Sequence, residues 1–291
     1  MNDARPPAGR GLAGAGFMLL GATLIQWSAA IVLPAFALLG PSATSAWRFL
    51  LGAIVLVALS RPKVAHFSAR QWRAALALGV TTALMNQCFY QAIERIPLGG
   101  AVAIEFLGPF SVAALGKRTP RHLALVLVAA AGVVALTRPG GGLHLTGVLW
   151  AGGAGLFWAG YVFSSHRVGG TTSGFGGLAV SMSIAALVTL PFSMGAWGRI
   201  ALDPAVLGRL ALVATIAVVA GFGAELSGLR RVRPHIAGVL MAADPAVAFL
   251  VGWGLLGQRV TTLDLVGVGC VVVAGALVTL DTAVGEGELA Q

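Results

Sequence analysis

Of the 291 residues, 57% are hydrophobic and 10% charged, and the mean hydropathy is +0.89. No soluble core of this length needs that excess, so a lipid bilayer is the expected solvent. The formal charge of +9 would suggest nucleic acid in a soluble chain, but the basic residues sit in short gaps between apolar runs, as topology signals do.

Crossing about 30 Å of hydrocarbon takes about 20 apolar residues in a helix. Runs of this kind extend from Gly11 to Leu38, Thr44 to Ser60, Ala74 to Ile93, Gly99 to Leu115 and His122 to Thr137. A second set extends from Thr146 to Ser164, Phe175 to Trp197, Ala205 to Ser227, His235 to Leu256 and Leu263 to Leu280. The expected fold class is therefore all-α integral membrane, with ten transmembrane helices. Ser28-Ala29-Ala30, after Arg5 and Arg10, imitates a signal-cleavage site. The first run matches one in the second half, which argues for its retention.

With the N-terminus in the cytoplasm, most of the 19 Lys and Arg residues fall on inside segments. Among them are Arg61, Lys63, Arg70, Arg73, Lys117, Arg121, Arg167, Arg230 and Arg231. Both termini are then cytoplasmic, and residues 282–291, with Glu286 and Glu288, form a disordered tail.

The halves, 1–140 and 141–281, repeat one another. Gly16, Gly21 and Trp27 recur at the spacing of Gly147, Gly152 and Trp158, and Arg95, Ala101 and Pro109 at that of Arg231, Ala237 and Pro245. Gly116 and Arg118 likewise pair with Gly257 and Arg259. Five spans per copy, an odd number, invert the second copy in the membrane. Secondary transporters commonly use this arrangement, with their sites between the repeats. The 41 glycines suit helices that approach closely without a hydrophobic force between them.

Ionisable groups inside spans are costly and need a reason. Glu105 lies mid-span with Pro109 four residues on, and Pro109 cannot donate to the Glu105 carbonyl. Asp244 immediately precedes Pro245, where proline also disfavours helical dihedrals. Both helices are expected to kink or break at these prolines, beside a substrate or proton site. The alternatives for each carboxylate are an internal salt bridge or a protonated acid bonded to backbone. In the third span Asn86, Gln87, Tyr90, Gln91 and Glu94 form a polar stripe that should face water or partner helices.

Gln26 and Trp27 in the first span, with Trp158 and Tyr161 in the sixth, could bound a small polar solute or simply pack a core. Arg48 either snorkels to the interface or pairs with Glu105 or a substrate carboxylate. Glu225, near Arg230 and Arg231, reads as a structural ion pair before a functional group. Cys88 and Cys270 are too few for a disulfide framework. Gly116-Lys117-Arg118-Thr119 lacks the P-loop frame, and His66, His122, His144, His166 and His235 lack metal-ligand spacing. Neither a cofactor, a metal site nor an enzyme activity is expected.

The run Asn86-Gln-Cys-Phe-Tyr90-Gln-Ala-Ile93, followed by Ile96-Pro-Leu-Gly-Gly-Ala-Val-Ala-Ile-Glu105-Phe-Leu-Gly-Pro109, resembles the drug/metabolite transporter superfamily in its EamA-type branch of threonine and homoserine exporters. Ser45-Ala46-Trp47-Arg48-Phe49, Phe157-Trp158-Ala159-Gly160-Tyr161 and Met241-Ala242-Ala243-Asp244-Pro245-Ala246 fall where that family has matching motifs. The resemblance implies a basket-like inverted five-plus-five fold in the inner membrane. It also implies motif positions for Arg48, Asn86, Tyr90, Glu105, Trp158, Glu225 and Asp244. Two departures stand out: Gly257-Gln258 where the family often has Gly-Glu, and Asp244-Pro245 where it often has Glu-Pro.

The expected function is export of a small amino acid, with proton antiport as an extension that rests on Glu105 and Asp244. The expected partners are a small-molecule substrate, membrane lipid and protons, without nucleic acid, and the oligomeric state is open. The alternatives are export of drugs, nucleobases or other metabolites and, more remotely, a lipid-modifying intramembrane enzyme.

Overall fold

In lipid every backbone N–H and C=O must be satisfied within its own segment, so long apolar runs become helices. The structure, a computed structural model, describes residues 8–115, 119–137, 144–172, 174–196, 204–232 and 234–288, and every element among them is helical.

Helix α1 (Ala8–Leu39) passes to α2 (Pro41–Ser60) through Gly40, whose φ of 77° suits a residue without Cβ. Pro41 then starts α2 where its missing N–H is not needed. Helix α3 (Ala69–Ile93) begins at a capping box, in which Ser68 accepts from the Gln71 N–H and Gln71 accepts from that of Ser68. Then follow α4 (Leu98–Leu115), α5 (Pro120–Thr137), α6 (Leu145–Thr171) and α7 (Gly176–Thr189), which tightens into a 3₁₀ stretch at Leu190–Ala196. Helices α8 (Pro204–Ala214) and α9 (Phe222–Leu229) are joined through a π-helical stretch, Thr215–Gly221, into one rod. Helices α10 (Pro234–Met241) and α11 (Asp244–Leu256) are interrupted between Met241 and Asp244, and α12 (Thr262–Glu288) closes the chain.

Among the described residues six stretches are long and apolar enough to cross a membrane: Leu12–Leu39, Pro41–Ser60, Leu145–Thr171, Gly176–Ala196, Pro204–Leu229 and Ile236–Leu256. Leu98–Ser111, Pro120–Leu136 and Thr262–Val278 are apolar but shorter. Helix α3 has the length, at 25 residues, but Asn86, Gln87 and Gln91 lower its hydropathy. Leu59, Leu127, Leu149, Leu156, Leu187 and Leu250 project outward and are all more than half exposed. Such a surface suits acyl chains and would be a liability in water.

Helix α3 packs on α6 and α7, α1 on the α8–α9 rod, α4 on α6 and α11, α5 on α12, and α2 on α7. Small residues set several of these crossings. A Cβ added to Gly108 in α4 would run into the Gly155 carbonyl oxygen of α6, so the two backbones touch. Gly132 and Gly267 make the reciprocal approach between α5 and α12, each within 3 Å of the other's carbonyl oxygen when given a Cβ.

Two features depart from the sequence reading. Helix α4 is not broken at Pro109, whereas the matched helix is interrupted between Met241 and Asp244, just before Pro245. Helix α12 continues to Glu288, through most of the stretch expected to be a disordered tail.

Candidate functional site

Glu105 and Pro109 lie one helical turn apart on α4, so no N–H at position 109 meets the Glu105 carbonyl. Gly155 of α6 lies against that carbonyl: a Cβ there would be 2.6 Å from its oxygen. The close approach holds the Glu105 side chain, 6% exposed, against a cavity of about 60 Å³. The same cavity is lined by Asp244, which heads α11, where a carboxylate faces the positive end of the helix dipole.

Five more helices complete the walls. Helix α1 contributes Ile25, Gln26 and Ala29, and α3 contributes Met85, Asn86 and Phe89. Both triplets follow the i, i+1, i+4 spacing of one helix face. Trp158 and Tyr161 come from α6, Phe222 and Glu225 from α9, and Arg48 from α2. Trp158 packs edge-to-face on Phe106 at 5.8 Å between ring centroids, and the Tyr161 hydroxyl faces the Glu225 carboxylate.

Arg48 is the cation of the site and is 1% exposed, so it does not snorkel. Its guanidinium donates to the Asn86 carbonyl oxygen Oδ1. It lies over the rings of Tyr90 and Phe49, at 4.9 and 5.2 Å from their centroids. A desolvated cation–π contact contributes about 2 kcal/mol. The Arg48 Nε, the Tyr90 hydroxyl and the Gln26 Oε1 are buried without a hydrogen-bond partner among the described residues. Arg48 makes no ion pair among the described residues, and neither Glu105 nor Asp244 accepts a hydrogen bond or joins a salt bridge there. The internal salt bridge weighed for these carboxylates is therefore not formed among the described residues. One guanidinium and three carboxylates, Glu105, Glu225 and Asp244, surround the same small space.

The structure brings together eight of the polar and aromatic candidates: Gln26, Arg48, Asn86, Glu105, Trp158, Tyr161, Glu225 and Asp244. Tyr90 and Gln87 stand behind the wall. Tyr90 supports Arg48 from beneath and packs on Phe36 at 5.2 Å, while the Gln87 amide donates to the Ser42 carbonyl. Gln91 donates to the Ser42 hydroxyl and accepts from Arg95, which is paired with Glu94 at 2.7 Å. The lower stripe of α3 thus ties α3 to the start of α2.

The ion pair expected for Glu225 with Arg230 or Arg231 is not formed among the described residues. Arg230 instead donates to the carbonyls of Gly174 and Thr172, and Arg231 donates to the Ser227 carbonyl and lies over the Phe17 ring. Trp27 is 48% exposed and faces away from the cavity. Sequence reasoning did not find Ile25, Ala29, Met85, Phe89 or Phe222. The last two could have been placed by helical spacing from Asn86 and Glu225. The two cysteines are free, and no cluster able to hold a metal occurs among the described residues.

Residues 145–280 match the EamA-like transporter family. The chain is 32% identical over 266 residues to the threonine/homoserine exporter RhtA of Escherichia coli (strain K12), covering 90% of each chain. It is 30% identical over 263 residues to the threonine/homoserine exporter RhtA of Salmonella typhimurium (strain SL1344), covering 89% of this chain and 88% of that one. A solved crystal structure superposes with a TM-score of 0.58 at 20% identity, over 91% of this chain and 96% of its own, a likeness of fold alone.

Proposed function

Because this chain belongs to the EamA-like transporter family, in the branch of the threonine/homoserine exporters, we propose that it exports small amino acids across the inner membrane through the cavity between α1, α2, α3, α4, α6, α9 and α11. The observation that carries the proposal is the charge arrangement: Arg48 faces the same space as Glu105, Glu225 and Asp244, and Arg48, Glu105 and Asp244 have no salt-bridge partner among the described residues. A zwitterion supplies the missing partners, its carboxylate to Arg48 and its ammonium to the acidic wall.

The cavity, at about 60 Å³, is far below the roughly 300–1,000 Å³ of pockets that take drug-sized ligands. Its size and its polar walls favour a small solute over a lipophilic drug. Exchange of one carboxylate's proton against the substrate ammonium would couple export to proton entry, with Glu105 and Asp244 as the carriers.

In this reading the chain has ten spans as an inverted pair of five-helix repeats, 1–140 and 141–281, with both termini cytoplasmic. The packing partners support it. Helix α3 meets α6 as the α8–α9 rod meets α1, while α2 with α7, α5 with α12 and α4 with α11 pair across the halves. Pro109 and Pro245 occupy matched positions in the two copies.

Efflux of labelled threonine and homoserine from proteoliposomes tests the proposal. The expected result is saturable movement that Glu105→Gln uncouples from a pH gradient. Failure of any amino acid to move, with lipophilic cations moving instead, would transfer the protein to the drug-exporting reading.

A further inference from the structure

A second cavity, of about 380 Å³, lies away from the transport site, between the start of α3 and the end of α6. Its walls are Arg70, Arg73 and Ala74 from α3 and Arg167 and Thr171 from α6. The three arginines are exposed. None has a side-chain hydrogen bond or ion pair among the described residues, and no carboxylate lines the space. Three like charges around one cavity repel one another until an anion enters.

The backbone holds them in this arrangement. The capping box fixes the first turn of α3, and the Gln71 amide donates to the Thr171 carbonyl at 2.8 Å, joining the two helix ends. The N-terminus of the 25-residue α3 adds the positive end of its dipole. Beside the cavity Trp72 is 43% exposed and pairs with Phe67 at 5.8 Å between centroids. An exposed Trp at a helix end is what membrane–water interfaces enrich.

We infer that this groove holds the phosphate of an anionic phospholipid, clasped by Arg70, Arg73 and Arg167, with its acyl chains lying along the apolar flank of α3 and α6. Guanidinium forks match phosphate oxygens bidentately, and basic pockets between membrane helices are suited to anionic headgroups. Free phosphate shares the headgroup's chemistry but has no use for the Trp72–Phe67 edge or the flanking acyl surface, so the lipid is the occupant assigned.

The test is thermal unfolding of the detergent-purified full chain with short-chain phosphatidylglycerol, short-chain phosphatidylcholine, glycerol phosphate or inorganic phosphate. Phosphatidylglycerol at a hundred-fold excess over its Kd should raise the midpoint by about 5 °C, and phosphatidylcholine should not. The Arg70→Gln/Arg73→Gln/Arg167→Gln variant should lose the shift, while Arg61→Gln/Lys63→Gln, which removes charge outside the groove, should keep it. Should the triple variant fail to fold, Arg73→Gln and Arg167→Gln alone should each reduce the shift. Equal shifts with both lipids, or a full shift in the arginine variants, would overturn the site. A full shift with glycerol phosphate or inorganic phosphate would overturn its assignment to lipid.

Discussion

The Glu105 carbonyl, which Pro109 leaves without its helical donor, lies so close to Gly155 of α6 that a single methyl group there would sit 2.6 Å from the oxygen. The glycine therefore fixes the depth at which the Glu105 side chain enters the cavity. Gly155→Ala and Gly108→Ala should each destabilise the protein by about 1–3 kcal/mol, because the atoms they meet are backbone and cannot rotate away. Efflux should fall with them. Gly152→Ala, on the same helix with nothing within 4 Å of an added Cβ, should leave both unchanged. Thermal midpoints of the three variants, read beside their transport rates, check the point.

Arg48 donates a hydrogen bond to Asn86 and stacks on the faces of Tyr90 and Phe49. Arg48→Lys keeps the charge but loses the planar fork and the stacking geometry. It should preserve expression and lower the apparent affinity for amino acid at least several-fold. Asn86→Ala removes the acceptor from a buried cation, a loss of about 1.5–3 kcal/mol. The Arg48→Lys/Asn86→Ala pair should be less damaging than the sum of its parts, since both act on one contact. Additive losses in a double-mutant cycle would argue that the two side chains work separately.

How much of this was legible in the sequence can be followed at individual residues. The helices were readable because apolar length is a strong signal, and Glu105 and Asp244 stood out because a carboxylate in an apolar run is rare. The paired prolines lead to the expectation of one site beside both carboxylates; the shape of its wall was not readable, since it depends on the crossing of α4 and α6 at Gly108 and Gly155. Repeat matching misleads at Trp27, which aligns with Trp158: the first faces outward at 48% exposure while the second is 7% exposed and lines the cavity. Proximity along the chain suggests an ion pair of Glu225 with Arg230 or Arg231. The π-helical stretch Thr215–Gly221, which nothing in the composition announces, lies directly before the helix that carries Glu225 to Tyr161 instead.

Tyr161 and Glu225 provide a way to separate binding from coupling. Tyr161→Phe removes the hydroxyl that faces the carboxylate and keeps the ring against Phe222, 6.1 Å away between centroids. Packing should survive, so the thermal midpoint should stay within about 2 °C of the parent, as expected for a change of less than 1 kcal/mol. If Glu225 takes part in proton exchange, the pH profile of efflux should move in this variant and flatten in Glu225→Gln. Identical profiles in all three proteins would confine Glu225 to a structural role.

Arg230 joins the end of α9 to the turn between α6 and α7, donating to Gly174 O at 2.8 Å and Thr172 O at 2.9 Å. Burial and the neighbouring Arg231 charge both lower its pKa from the usual arginine value. Gly174, at φ 57°, takes a conformation that side chains rarely adopt, so the turn offers its carbonyl at an angle few other residues would reproduce. Arg230→Gln should release this clasp without disturbing the cavity walls. Hydrogen exchange at the amides of 172–176 should rise several-fold, while the α5–α12 pair, held by Gly132 and Gly267, should be unaffected. Because Glu225 lies little more than one turn before Arg230, a released turn should also alter the transport rate more than the affinity. A change in affinity alone, with exchange unmoved, would mean that Arg230 acts on the solute and not on the turn.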